Sequence, residues 1–254
     1  MLKIYFTMKK LLAYPLSILC YLFFFLNLLL FHPIQWISVK LGGYQAHKKS
    51  VDIFNLFLMR SLNILGTRFS IDNPYEIPLD RPCIFVANHQ GLYDIPPIIW
   101  FFRKHHPKFV SKKELGKGIP GVSFNLRHGG SVLIDRKDSR QAIVALSRFS
   151  EYLNKTKHSA VIFPEGTRSR DGKPKRFAVA GLQILLKKMP DAVVVPVTIN
   201  NSWKLFQYGK FPLGIGVHIK LKAHQPIPAN SDTPINLIEQ VEQTIIADIE
   251  VRKI

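Results

Sequence analysis

From Leu11 to Phe31 no residue carries a charge. Wound as a helix, such a run is roughly 30 Å long, the thickness of a bilayer core, so it predicts a segment that belongs in or on lipid. Between Tyr21 and Leu30 it is apolar all round except for Asn27, and it offers water no polar face. Its length, its Phe and Leu content and the lack of small residues after it set it apart from a cleaved signal peptide. Lys3, Lys9 and Lys10 precede the run and Lys40, Lys48 and Lys49 follow it, so the bias of positive charge toward the inside gives no orientation. Two topologies stay open. One is a plain single span; the other dips into one leaflet and returns, with bends at Pro15 and at His32-Pro33.

Residues 34–66 predict further helix, with Trp36, Ile37, Val51, Ile53, Phe54, Leu56 and Phe57 interleaved among Lys40, Lys48, Lys49 and Arg60. This basic, aromatic stretch suits a membrane surface, and the same pattern suits packing on the domain that follows. We therefore divide the chain into a membrane-anchoring helical segment, 1–66, and an α/β domain, 67–254. In the second part short apolar runs alternate with helical periodicity. Cys83 to Ala87, Ser131 to Ile134, Ala160 to Phe163 and Val193 to Val197 read as strands covered on both faces, and Val217 to Leu221 as a half-exposed one. Ile143, Leu146, Phe149 and Leu153 mark one helix, and Ile238, Val241, Ile245 and Ile249 another, opened by Asp232-Thr233-Pro234. The expected fold is α/β, a mainly parallel sheet flanked by helices.

Charge narrows the partners. With 35 Lys and Arg against 17 Asp and Glu, the net charge is +18, which favours anions: nucleic acid, lipid headgroups or phosphorylated metabolites. The 47% hydrophobic content excludes a disordered chain. Two cysteines, Cys20 and Cys83, suggest neither a disulfide framework nor a thiolate metal site, and a reducing compartment is the default. No nucleic-acid recognition motif accompanies the charge, and the apolar run argues against such a partner. Gly116 to Gly121 has the spacing of a dinucleotide-binding glycine loop, but no apolar strand leads into it, so it reads as a flexible surface turn. His105 and His106, beside Lys104 and Lys108, read as a solvated basic loop. Nucleophile-elbow and phosphate-loop signatures are missing from the sequence.

The chemistry gathers at strand ends, where open α/β sheets place their sites. The strand Cys83 to Ala87 runs into Asn88-His89-Gln90-Gly91-Leu92-Tyr93-Asp94. His89 and Asp94 meet neither on one helix face nor on one strand face, only across a turn, for which Gly91 would supply the permissive backbone. A carboxylate on one ring nitrogen fixes the tautomer and leaves the other nitrogen as a general base. A helix-capping Asp94 beside an ordinary loop histidine fits the same spacing. A second strand empties into Pro164-Glu165-Gly166-Thr167-Arg168-Ser169, continuing with Arg170, Lys173, Lys175 and Arg176. Gly166 lets backbone approach an anion, and Arg168 offers a phosphate a bidentate fork, as does Arg136 after the strand ending at Ile134.

Together these segments resemble the glycerolipid acyltransferase family, specifically its bacterial 1-acylglycerol-3-phosphate (lysophosphatidate) acyltransferases. His89 through Asp94 resembles the family's histidine-x4-aspartate block, Gly130 to Arg136 its second block, Phe163 to Ser169 its third and Val195-Pro196-Val197 its fourth, all in the family's order. Phe177-Ala178-Val179-Ala180-Gly181 departs from the family, which often has lysine and glycine directly after the phenylalanine. The resemblance implies transfer of an acyl group from acyl-CoA or acyl-carrier protein to the sn-2 hydroxyl of lysophosphatidate, giving phosphatidic acid. His89 would be the base, aligned by Asp94, with no covalent acyl-enzyme. Arg136 and Arg168 would hold the substrate phosphate, and Glu165, Gly166 and Thr167 would shape its pocket, with neither metal nor cofactor. The basic residues Arg103, Lys104, Lys108, Lys112, Lys113 and Lys117 would attract the donor's phosphates or anionic lipid. The implied setting is the inner membrane, with the catalytic domain on the cytoplasmic face. Two readings compete: a different lysolipid or hydroxylated lipid as acceptor, and a non-catalytic basic membrane-binding protein.

Overall fold

The computed structural model describes residues 2–250, with side chains from residue 8 onward; the Lys3 side chain and residues 251–254 lie outside the described residues. Helix α1 runs from Leu2 to Asn63 and is broken at Gly43, whose φ of 61° and ψ of −152° are not helical. The break reverses the chain. Asn27 Nδ2 donates to Ser61 Oγ at 3.2 Å, and the Phe31 ring lies 5.3 Å from that of Phe54 and 5.7 Å from that of Phe57, so the two arms form an antiparallel hairpin. Pro15 and Pro33 lie inside the first arm and are not the bends that the re-entrant alternative would have used. A proline removes one helical hydrogen bond, whereas reversal needs the left-handed backbone region that glycine enters without penalty.

After the hairpin come β1 (Arg68–Asp72), β2 (Cys83–Ala87), α2 (Ile95–Phe101), β3 (Pro107–Lys112), α3 (Val122–His128), β4 (Val132–Ile134), α4 (Ser139–Thr156), β5 (Ser159–Ile162), α5 (Val179–Lys188), β6 (Val193–Asn200), β7 (His218–Ala223), β8 (Ile227–Pro228) and α6 (Pro234–Ala247). The sheet order is β1-β7-β6-β2-β5-β3-β4, with β8 pairing β6. Strands β6, β2, β5, β3 and β4 are mutually parallel; β7 runs antiparallel to β6 and carries β1 parallel to itself. The α/β, mainly parallel architecture is the one expected. β1, β3 and β8 are additions to the strands read from sequence, and their mixed compositions give no apolar run to find them by.

Both faces of β2, β5 and β6 are covered, which is why these strands are apolar throughout. One core joins Phe85, Val161 and Val195 to Cys20, Val51 and Leu62 of the hairpin and Ile98 of α2. The opposite core joins Ile84, Ile162 and Val194 to Leu146 and Leu153 of α4, Leu185 of α5 and Leu237, Val241 and Ile245 of α6. Thr233 caps α6 by accepting from the Asn236 amide, with Pro234 in the first turn as expected. Phe177 is buried in the second core and its amide donates to Glu242 Oε1 at 2.9 Å, a packing role.

The hairpin lies along the α/β domain. The Leu213 amide donates to Ser17 Oγ at 2.8 Å, the Tyr21 hydroxyl donates to the Lys210 carbonyl at 2.7 Å, and the Phe24 ring stands edge-on to Tyr93 at 5.6 Å. Ala13, Ser17, Cys20 and Phe31 of the first arm are buried, while Leu11, Ile18, Leu22, Phe25, Leu29 and Trp36 are exposed. An apolar helix therefore buries one face on protein and leaves an equally apolar face bare. A groove of about 640 Å³ runs between the arms, lined by Leu19, Phe23, Leu26, Leu30 and Phe57 with Arg60 among its polar residues.

Two expectations for loops are corrected. Lys108 is buried, its ammonium 4.8 Å from the centroid of the Tyr44 ring, and His106 stacks on His158 and shares a hydrogen bond with the Tyr44 hydroxyl at 2.6 Å. The region is packed, because β3 begins at Pro107 and turns Lys108 beneath the hairpin; burial lowers the Lys108 pKa to about 7. Lys108 is therefore not one of the surface charges available to a donor or lipid. The Gly116 to Gly121 segment is also anchored: Gly116 is buried against Leu133, and the Gly121 amide donates to His32 Nδ1 at 3.2 Å.

Candidate active site

Parallel strands bring their carboxyl ends to one edge, and there the sequence-predicted residues converge. β2 delivers His89, β4 delivers Arg136, β5 delivers Glu165 to Arg168, and β6 delivers a residue not singled out from sequence, Ser202. The Asn88 side chain fastens the end of β2 to β6: its Nδ2 donates to the Ile199 carbonyl at 2.9 Å, and its Oδ1 accepts from the Ile199 amide at 2.7 Å.

After β2 the chain makes one 3-10 turn, Leu92–Asp94, and passes into α2. Asp94 stands at the N-cap position of α2 but makes no side-chain cap bond. Its carboxylate points back instead. Oδ2 lies 2.8 Å from His89 Nδ1 and accepts from the amides of Gln90 at 2.7 Å and Gly91 at 2.9 Å; Oδ1 accepts from the Ser202 hydroxyl. Asp94 is fully buried. Asp94 therefore does not cap α2; it accepts from the Gly91 amide that opens the 3-10 turn, as the third residue of a capping box does, and the same oxygen meets His89. An acceptor-only carboxylate against Nδ1 makes that nitrogen the N–H donor and leaves the Nε2 lone pair free.

Gly91 serves the turn by its size. Its φ of −158° is ordinary extended backbone, so the permissive conformation expected from sequence is not what selects it. A Cβ there would lie 3.3 Å from Ser202 Oγ and 3.6 Å from the Phe206 ring. The His89 ring stacks on Phe163, with centroids 4.2 Å apart and planes inclined by 18°, so the residue ending the β5 run holds the imidazole plane.

The 164–169 loop is bonded to the same turn. The His89 amide donates to Glu165 Oε1 at 2.9 Å, and the Ser169 amide donates to the His89 carbonyl at 2.7 Å. Glu165 is largely buried, its Oε2 has no hydrogen-bond partner among the described residues, and burial raises its pKa to about 7. Gly166 turns the loop with φ of 68°, and Arg136 donates through Nη1 to its carbonyl. Thr167 and Arg168 are exposed, and Lys175 Nζ bonds the Thr167 hydroxyl and the Arg168 carbonyl, each at 3.0 Å. Lys113 bridges to Asp135 at 2.8 Å on the same edge. The arrangement offers a free imidazole nitrogen beside a cationic, solvent-open rim.

Three supporting residues escaped the sequence reading as site members: Ser202, Phe163 and Asn88. For Ser202 the usable signal was position, since Asn200-Asn201-Ser202 follows an apolar strand as directly as Asn88-His89 does. Among the described residues, no group of three or more His, Cys, Asp or Glu has the geometry of a metal site.

The family model described as Acyltransferase matches residues 68–200. A 1-acyl-sn-glycerol-3-phosphate acyltransferase of Helicobacter pylori is 34% identical over 126 residues, 48% of this chain and 50% of that protein. A chloroplastic 1-acyl-sn-glycerol-3-phosphate acyltransferase of Brassica napus is 31% identical over 148 residues, 58% of this chain and 41% of that protein. The chain thus spans about half the length of these curated relatives. The crystal structure of the 1-acyl-sn-glycerophosphate acyltransferase PlsC of Thermotoga maritima superposes with a TM-score of 0.75 at 28% identity, covering 96% of each chain. With the model matching over more than half of the chain and the imidazole and arginine blocks meeting at one sheet edge, this protein belongs to the glycerolipid acyltransferase family.

Proposed function

We propose that the protein transfers a fatty acyl group from acyl-CoA or acyl-carrier protein to the sn-2 hydroxyl of 1-acylglycerol-3-phosphate, forming phosphatidic acid. The observation that carries the reading is the His89 Nδ1 to Asp94 Oδ2 contact of 2.8 Å, which leaves Nε2 as the base. Nε2 takes the hydroxyl proton as the oxygen attacks the thioester carbonyl carbon. The tetrahedral intermediate then collapses with loss of the C–S bond, and the imidazolium returns its proton to the leaving thiolate, so no acyl-enzyme forms. General-base assistance supplies about 10²–10⁴-fold, and positioning much of the remainder.

Arg168 and Arg136 grip the substrate phosphate, with Glu165, Gly166 and Thr167 forming the adjoining wall. The exposed apolar face of the hairpin sits in the outer layer of one leaflet and keeps the domain at the surface where lysolipid and product reside. The donors are cytosolic, so this reading sets the domain on the cytoplasmic face of the inner membrane. The deciding experiment incubates purified protein with lysophosphatidate and each donor and reads phosphatidic acid by mass spectrometry. Turnover on other lysolipids but not on lysophosphatidate would reassign the acceptor, and turnover with none would reject the enzyme reading.

A further inference from the structure

Ser202 stands at this edge without a role in the reading above. It is fully buried and opens a one-turn 3-10 helix, Ser202–Phe206, that follows β6. Asn201 before it adopts a left-handed conformation with φ of 73°, which swings the chain off the strand and across the His89 to Asp94 turn. The same short helix holds that turn by packing. Phe206 stacks on Tyr93 with centroids 5.6 Å apart and planes 7° from parallel, and Gly91 has no side chain to hold the Ser202 hydroxyl away. The Gly214 amide donates to the Leu205 carbonyl at 2.8 Å and anchors the helix from behind.

We propose that Ser202 is a positioning residue for the acyl transfer, its hydroxyl holding Asp94 Oδ1 so that Oδ2 faces His89 Nδ1. This rests on the reading of His89 as base. A carboxylate turns about its Cβ–Cγ bond, and amide donors on Oδ2 alone leave that torsion soft. A donor on Oδ1, 108 residues distant in sequence, locks the plane from the other side.

The test compares wild type with Ser202→Ala, Ser202→Thr and His89→Ala, assayed with lysophosphatidate and acyl-CoA in detergent micelles. Ser202→Ala is expected to lower kcat about 10- to 100-fold with KM within about twofold, because the acid is misaligned while the acceptor site is untouched. Ser202→Thr keeps the hydroxyl and is expected to restore most of kcat. Should alanine disturb the fold, Ser202→Cys, which fills the site with a weaker donor, is expected to lower kcat less than alanine does, again with KM within about twofold. An unchanged kcat in a folded Ser202→Ala or Ser202→Cys protein, with His89→Ala inactive, overturns the proposal alone. Turnover by His89→Ala overturns the base assignment and the proposal with it.

Discussion

Asp94 meets His89 through the carboxylate oxygen that also receives two backbone amides, at 2.8 Å from Nδ1 and at 2.7 and 2.9 Å from the nitrogens of Gln90 and Gly91. The acid is thus held by two amides of the turn it serves together with the Ser202 hydroxyl on its other oxygen, and its direction does not depend on the histidine being present.

His89→Ala is expected to reduce turnover by at least about 10³-fold while binding to phosphatidylglycerol vesicles stays at the wild-type level, because the imidazole lies at the sheet edge and the exposed apolar face lies on the outer side of the hairpin. Asp94→Asn is expected to be nearly as damaging, since an amide in that place can donate to Nδ1 and invert the tautomer. Product formation and vesicle co-sedimentation, measured on the same preparations, check both. Activity in either variant within tenfold of wild type would contradict the dyad.

Arg168 is exposed on the rim, and Arg136 reaches the Gly166 carbonyl beside it. Arg168→Ala is expected to raise KM for lysophosphatidate about tenfold or more, and Arg168→Lys to recover only part of this, because an ammonium cannot reproduce the two-pronged contact of a guanidinium with phosphate. Arg136→Ala is expected to act on both KM and kcat, as it also loosens the Gly166 turn. Steady-state kinetics with varied acceptor distinguish the two; an unaltered KM in all three variants would remove the phosphate from this rim.

Burial holds the Glu165 carboxyl near pH 7 rather than at its usual 4.5. The folded protein keeps this proton more tightly than the unfolded chain does, so the stabilisation is full below about pH 4.5 and is lost as pH rises through about 7. Glu165→Gln has no such proton to lose. Relative to wild type, its stability is expected to improve by on the order of 1–3 kcal/mol between pH 5 and pH 8. Urea unfolding midpoints at the two pH values provide the measurement, and a difference that does not change with pH would disprove the assignment.

Leu22 and Phe25 lie bare on the first arm of the hairpin, with Cys20 and Phe31 on its buried side. Leu22→Lys with Phe25→Lys is expected to weaken vesicle binding at least tenfold without lowering the thermal midpoint, since burying each apolar side chain contributes about 1.5–3 kcal/mol. Flotation assays and a melting curve report the two quantities. Retained binding would move the membrane contact elsewhere.

Much of the fold was legible because its signals are local. β2, β5 and β6 are sandwiched between helices, so each is written as an unbroken apolar run, and α6 announces itself by Thr233 and Pro234. The site was legible at the level of blocks, since a strand end followed by polar residues marks the edge where such sheets work. β3 was not, because Pro107 to Lys112 owes its place to the pairing of Lys108 with Ala160 and not to its own composition. Gly91 was found for the wrong reason: sequence suggests conformational freedom, while the structure requires room beside Ser202.

Taken alone, the order of residues determined the long uncharged helix and the buried strands and set an imidazole and an acid five positions apart with a short turn between them, since each depends on neighbours within a few positions. Only the tertiary structure decided that the helix folds back at Gly43 instead of at its prolines, that Lys108 is sealed under Tyr44, and that Ser202 completes the bonding of Asp94. Those outcomes depend on partners dozens to more than a hundred residues away, whose approach is governed by packing of the whole sheet and hairpin and leaves no periodic trace in the chain.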